Sequence, residues 1–342
     1  MIDLRSDTVT KPTDAMRTAA AEATVGDDVH REDPTVERLE AEMAELLGKQ
    51  AGLYVPSGTM GNQVAALVHT TTGEEVIVER DAHIYGWEAG GLAALSGVQP
   101  RPLEGQTGGL FSPEQLAEAI VPRSMHRPGT ALVCLENTHN HAGGIAHPAA
   151  AIEAVASVAH DADVPVHLDG ARLFNAAVAL ETDPARLAAP AETVMCCLSK
   201  GLGAPVGSVL AGSTETIQQA RRYRKRLGGG MRQAGIIAAP ALEALADWPR
   251  LESDHRRAER LAEGLGSLPE LAVQPPETNI VLLTVEDSLG GIDSFLETCA
   301  TEGVRAVPFG GRTVRCCTHR DLTDADIEVA IEGIGRAVNK RR

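Results

Sequence analysis

Aromatic side chains are almost missing from this sequence: four Phe, three Tyr and two Trp in 342 residues. The core must therefore be built from Ala, Val, Leu and Ile, and the 43% hydrophobic content is enough to supply one. Lysine is also scarce, with five against 26 arginines. No apolar run approaches the roughly 18 residues of a membrane-spanning helix, which argues against a membrane partner. The opening Met1-Ile2-Asp3-Leu4-Arg5 lacks a basic segment followed by an apolar one, so no signal peptide is expected. No Cys-x-x-Cys occurs among the six cysteines. Four of them form the adjacent pairs Cys196-Cys197 and Cys316-Cys317 in strand-like surroundings. Neighbours on a strand face opposite ways, so neither pair suits a bridge. Reduced thiols and a cytoplasmic location are expected. Excess positive charge is missing too. The net charge of −16 disfavours a nucleic-acid partner. It fits an ordinary acidic enzyme or a protein adapted to high salt.

Strands and helices alternate along the chain. Short apolar runs at 51–55, 75–79, 131–137, 164–169, 194–198 and 208–212 read as buried strands. Helical patterns fall at 34–47, 58–70, 149–160 and 214–226, and Thr13 and Asp33 are placed to cap helices. This alternation predicts an α/β fold with a mainly parallel sheet sandwiched by helices. Residues 101–129 read as turn-rich, with one helix near 113–120. Helix-forming residues run from Met231 into the 250s, and a helix near 250–265 leads to a smaller C-terminal α+β unit. The expected boundary separates 1–245, an N-terminal arm and large domain, from 246–342.

The stretch from Val194 to Gly207 organises the rest. It starts as an apolar strand and ends in a glycine-rich loop, where Pro205 bars a regular helix. Lys200 stands at the break. An amine in apolar surroundings costs free energy unless something uses it. Either Lys200 turns to solvent, or it bonds covalently to a carbonyl cofactor such as pyridoxal phosphate. Ligands of doubly wound sheets bind at the carboxyl ends of the strands, where Asp169 also lies. Pro56-Ser57-Gly58-Thr59 feeds a helix and is either a phosphate cradle or a plain N-cap. In the cofactor reading, Asp169 pairs with the pyridine nitrogen and Gly58 and Thr59 hold the phosphate. His83 covers the ring, while Arg172 and Arg315 present planar forks to a carboxylate.

Two other patterns compete. Gly201-x-Gly203 with Gly207 resembles a dinucleotide fingerprint, but a strand rather than a helix follows it. His139, His141, His147 and His167 with Asp169 could serve a metal-dependent hydrolase. Their spacing is loose, so this remains the weaker alternative.

The sequence is similar to low-specificity L-threonine aldolases of the aminotransferase-like class. The resemblance rests on Asp3–Thr10, Val25–Val29, Pro56–Asn62, His167–Arg172, Leu198–Leu202 and Gly228–Gly235, which follow in family order over essentially the whole chain. It implies pyridoxal phosphate bound to Lys200 and cleavage of L-threonine and L-allo-threonine to glycine and acetaldehyde. It further implies a substrate carboxylate held by Ser6, Arg172 and Arg315, and a base that is either His83 or His126. Lys225 is expected to reach the cofactor phosphate of a neighbouring chain within a homotetramer built from dimers. Gly86-Trp87 departs from the family pattern and leaves one pocket wall open. A β-eliminating lyase or a hydroxymethyl transferase of the same class is the nearer alternative.

Overall fold

The computed structural model describes all 342 residues. A seven-stranded sheet forms its centre. From one edge to the other its strands are Ala51–Val55, Ser208–Gly212, Thr193–Cys197, Val166–Asp169, Thr130–Glu136, Glu75–Glu79 and Gln99–Leu103. Ser208–Gly212 runs antiparallel to both neighbours, and the other pairings are parallel. The reversal follows from the short loop 198–207, which turns the chain back beside the strand it has just left. Five strands therefore end on one edge and deliver Ser57, His83, Asn140, Asp169 and Lys200 to it.

Helices cover both faces of the sheet, as a parallel sheet requires. Cys196 joins the larger core cluster and Cys197 the cluster on the other face, so the two neighbours do point opposite ways. All six cysteines are free. The larger cluster holds 41 buried residues, and only Tyr54, Phe111 and Phe174 among them are aromatic. Each buried Val, Leu or Ile contributes about 1.5–3 kcal/mol, so aliphatic number replaces aromatic size.

The edge strand Gln99–Leu103 is absent from the sequence reading. It carries Pro100 and Pro102, which cannot donate to a ladder and are tolerated at an edge. The helical run after Met231 is two helices, Gly235–Ala246 and Leu251–Gly266. A short turn at Trp248–Arg250 separates them, where Pro249 breaks the hydrogen-bond ladder.

The C-terminal unit is a four-stranded antiparallel sheet in the order Val307–Pro308, Thr313–Cys317, Ile280–Val285, Leu271–Val273. Helices Leu251–Gly266, Ile292–Thr301 and Asp324–Arg341 pack with it. The N-terminal arm ties onto this unit: Ile2–Asp3 pairs in parallel with Val304–Arg305, and Leu4 enters its core. The next residues, Ser6 and Asp7, are thereby brought to the junction between the two units.

Candidate active site

A cleft of about 330 Å³ opens at the carboxyl edge of the large sheet. Gly58, Thr59, His83, Asp169 and Lys200 all line it, with Thr8 from the N-terminal arm. Lys200 follows directly on the strand Thr193–Cys197 through Leu198 and Ser199. Its carbonyl accepts from Thr10 Oγ1 at 3.2 Å and from the Gly203 N–H at 2.8 Å, which fixes the turn. Gly207 has φ 106°, and a Cβ there would lie 2.3 Å from the Tyr54 ring. The loop needs glycine at that point for both reasons.

Ser57 caps the helix Gly58–His69 by accepting the Met60 N–H at 3.2 Å. The Gly58 and Thr59 N–H groups precede the first intrahelical bond and so have no partner within the helix. A Cβ at Gly58 would come within 2.8 Å of Cys197 Sγ, so the turn sits directly on the strand that leads to Lys200.

Asp169 is buried and accepts one hydrogen bond on each oxygen, which leaves further acceptor capacity on both. Oδ1 accepts from the Ala171 N–H at 3.0 Å, and Oδ2 from Asn62 Nδ2 at 2.7 Å. Beneath it His167, fully buried, lies 3.0 Å from Asn62 Oδ1 and 2.9 Å from Thr193 Oγ1. Burial pushes its pKa down to about 4, so it is neutral at pH 7.

His83 Nδ1 lies 2.9 Å from Glu88 Oε1. Burial works to lower the His83 pKa. The hydrogen bond to Glu88 and the charges of Asp169 and Glu88 outweigh it and leave the pKa raised. Glu136 accepts from two backbone N–H groups, that of His83 at 2.7 Å and that of Asn140 at 2.8 Å. One carboxylate at a strand end thus positions two loops.

Arg172 Nε and Nη2 grip Asp7 at 2.8 and 2.7 Å. Burial alone would raise the Asp7 pKa. The Arg172 charge and hydrogen bonds, helped by Lys200 and Asn279, hold it well below the usual carboxylate range. The remaining terminal nitrogen, Arg172 Nη1, and Arg315 Nη1 both reach Asn140 Oδ1, at 3.3 and 3.1 Å. Arg315 also donates to the Arg5 carbonyl, stacks over Phe309 at 4.8 Å and keeps a buried Nε without a partner. Two guanidinium groups meeting at one neutral oxygen leave a positive charge that suits an anion. Ser6 accepts from the Thr8 N–H and donates to Asp7 at 3.4 Å, so it caps the turn that carries Asp7.

The sequence profile of the beta-eliminating lyase family matches residues 3–288. The chain belongs to this family. It is 44% identical over 337 residues to a probable low-specificity L-threonine aldolase 2 of Arabidopsis thaliana, covering 96% of this chain and 95% of the relative. It is 40% identical to the low specificity L-threonine aldolase of Escherichia coli K12, covering 94% and 95%. Among solved structures, a Leishmania major threonine aldolase superposes with a TM-score of 0.84 at 19% identity, covering 99% of this chain and all of that one. At that identity the likeness is one of fold.

Five residues nominated from the sequence of this beta-eliminating lyase chain do not line the cleft. Ser6, Arg172 and Arg315 form the linked group around Asp7 and Asn140, and His126 and Lys225 lie away from it. His126 is exposed in the loop before Thr130–Glu136. Lys225 lies on the helix Thr214–Arg226 and lines a separate cleft of about 490 Å³ with Arg31, Arg221, Arg222, Arg224 and Arg226. The four histidines of the metal alternative do not converge. His139 pairs with Glu79, His147 with the Gly108 carbonyl and His167 with Asn62, while His141 stacks on Phe309. Asp7, Asn62, Glu88, Glu136 and Asn140 were not nominated from sequence. Asp7 and Asn62 fall inside family-like segments, but their partners lie 165 and 107 positions away.

Proposed function

We propose that this chain cleaves L-threonine and L-allo-threonine to glycine and acetaldehyde with pyridoxal phosphate as cofactor. The observation that carries this reading is the meeting of Lys200, Asp169, His83 and the Gly58-Thr59 turn in one cleft. The donor set fits the cofactor. A helix N-terminus suits its phosphate, a buried acceptor-only carboxylate its pyridine nitrogen, and a lysine its carbonyl. Bound there, the cofactor supplies an electron sink for a bond broken at Cα.

The chain's own residues do the rest. Arg172, anchored by Asp7, and Arg315 hold the substrate carboxylate, and Ser6 supports them through the turn at Asp7. This clamp fixes which bond at Cα is presented for cleavage. A histidine accepts the β-hydroxyl proton; of the two candidates, His83 lines the cleft and His126 lies outside it. The O–H electron pair becomes the new carbonyl bond of acetaldehyde as the Cα–Cβ bond breaks. A proton delivered to Cα completes glycine and closes the balance.

The substrate is a small amino acid in the cytoplasm, and the working form is a homotetramer built from dimers. Lys225 serves a neighbour's phosphate, and the surplus of cations around it supports an anion-binding role. The chain works as two units, 1–245 and 246–342, with the arm crossing from the first onto the second. Borohydride treatment of cofactor-loaded protein followed by peptide mapping tests the site. Label on Lys200 is expected, and label on another lysine overturns the assignment. Lys225→Ala should weaken cofactor retention, and unchanged retention removes Lys225 from the site.

A further inference from the structure

His83 is half-buried, with 34% of its side chain exposed, while the Glu88 side chain has no exposure at all. A buried carboxylate needs partners on each oxygen. Glu88 Oε2 accepts from Gln63 Nε2 at 2.6 Å. Oε1 takes Asn62 Nδ2 at 2.7 Å and His83 Nδ1 at 2.9 Å. Asn62 Nδ2 also donates to Asp169 at 2.7 Å, so its two hydrogens divide between the carboxylates. That leaves Asn62 Oδ1 as an acceptor for His167 Nε2 at 3.0 Å. The donors and acceptors of this network are compatible in one arrangement. A carboxylate can only accept, so a neutral His83 ring must carry its hydrogen on Nδ1. Nε2 is then the nitrogen able to take a proton. The Glu136 carboxylate holds the backbone of the same residue, which restricts the ring further.

We propose that Glu88 and Asn62 are positioning residues that make His83 Nε2 the proton acceptor for the substrate's β-hydroxyl. This rests on the aldol-cleavage reading above and decides between its two candidate histidines. The proton moves from the β-hydroxyl to Nε2, and the O–H pair forms the aldehyde carbonyl as the Cα–Cβ bond breaks. Glu88 stabilises the imidazolium that results, and the proton is returned in the protonation that makes glycine. Asn62 keeps Glu88 and Asp169 apart as separate acceptors, so neither carboxylate swings onto the other's partner. The charged groups that act on His83 are Glu88 and Asp169, which favour its protonated form, and Lys200, which opposes it.

The test is Glu88→Gln, which keeps the shape and removes the charge. A general base supplies roughly 100- to 10,000-fold, so losing its orienting carboxylate should lower kcat at least about 10-fold. KM for L-threonine should stay within about threefold, because carboxylate binding is untouched. The acidic limb of the kcat/KM profile should move to lower pH. In a His83→Phe background, Glu88→Gln should have no further effect, since Glu88 acts through His83. An unchanged limb, or additive losses in the double variant, overturns the proposal. Should Glu88→Gln fail to fold, nitrogen NMR of imidazole-labelled wild-type protein decides. The neutral His83 ring must carry its hydrogen on Nδ1, and the Nε2–H form overturns the proposal. Wild-type protein that makes no acetaldehyde from L-threonine refutes the aldol reading instead, whatever the NMR shows.

Discussion

Asp7→Asn weakens the buried ion pair that, with the Thr10 and Arg5 contacts, ties the N-terminal arm to the site. Asp7 is fully buried and Arg172 is 6% exposed, and they share two hydrogen bonds of 2.8 and 2.7 Å. Removing one member of a buried ion pair costs roughly 3–5 kcal/mol, because the other charge stays behind without compensation. Asparagine keeps the shape and one acceptor, so the lower end, about 3 kcal/mol, is expected. The loss has a pH signature. Pairing depresses the folded-state pKa of Asp7, so its stabilisation is present above the unfolded value of about 4 and is lost as pH falls through the folded value. The assay is denaturant unfolding of wild type and variant, cofactor-loaded, from pH 7 downward. The gap should be full at pH 7 and narrow progressively below about pH 4. A variant as stable as wild type at pH 7, or a gap indifferent to acid, would refute the reasoning.

Other outcomes follow from the same geometry. His83→Phe with normal cofactor content should lose roughly 100-fold or more in kcat if His83 is the base; a small loss there with a large one in His126→Phe moves that role to His126. Gly207→Ala should destabilise the Lys200 loop, since its Cβ meets the Tyr54 ring at 2.3 Å and its φ of 106° disfavours any side chain; a wild-type melting temperature contradicts this. With a net charge of −16, the melting temperature should rise from dilute to molar potassium chloride, where the Debye length falls to about 3 Å; no rise removes the case for salt adaptation.

Much of the large sheet was legible because buried parallel strands are short apolar runs bounded by turns. The functional ends of those strands followed from the same pattern: Asp169 ends such a run and Lys200 stands two residues past one. Gln99–Leu103 was illegible because Pro100 and Pro102 signal a loop, and only its edge position makes them harmless. The pairing of Ile2–Asp3 with Val304–Arg305 spans nearly the whole chain and leaves no local trace. The same holds for the polar links of the site. Nothing near Asn62 announces that it will touch both Glu88 and Asp169, and nothing near Asn140 announces two arginines. Periodicity reports which face is buried, whereas these side chains are selected by partners that only the fold brings close. Conversely, the histidines at 139, 141, 147 and 167 looked like one group in sequence and separate into four environments once the strand Thr130–Glu136 and its loop are in place.

The central claim is tested most directly by incubating cofactor-loaded protein with L-threonine and identifying both products. The account predicts glycine and acetaldehyde in equal amounts, abolished by Lys200→Ala. A 2-keto acid with ammonia, or no consumption of threonine by loaded protein, would contradict it.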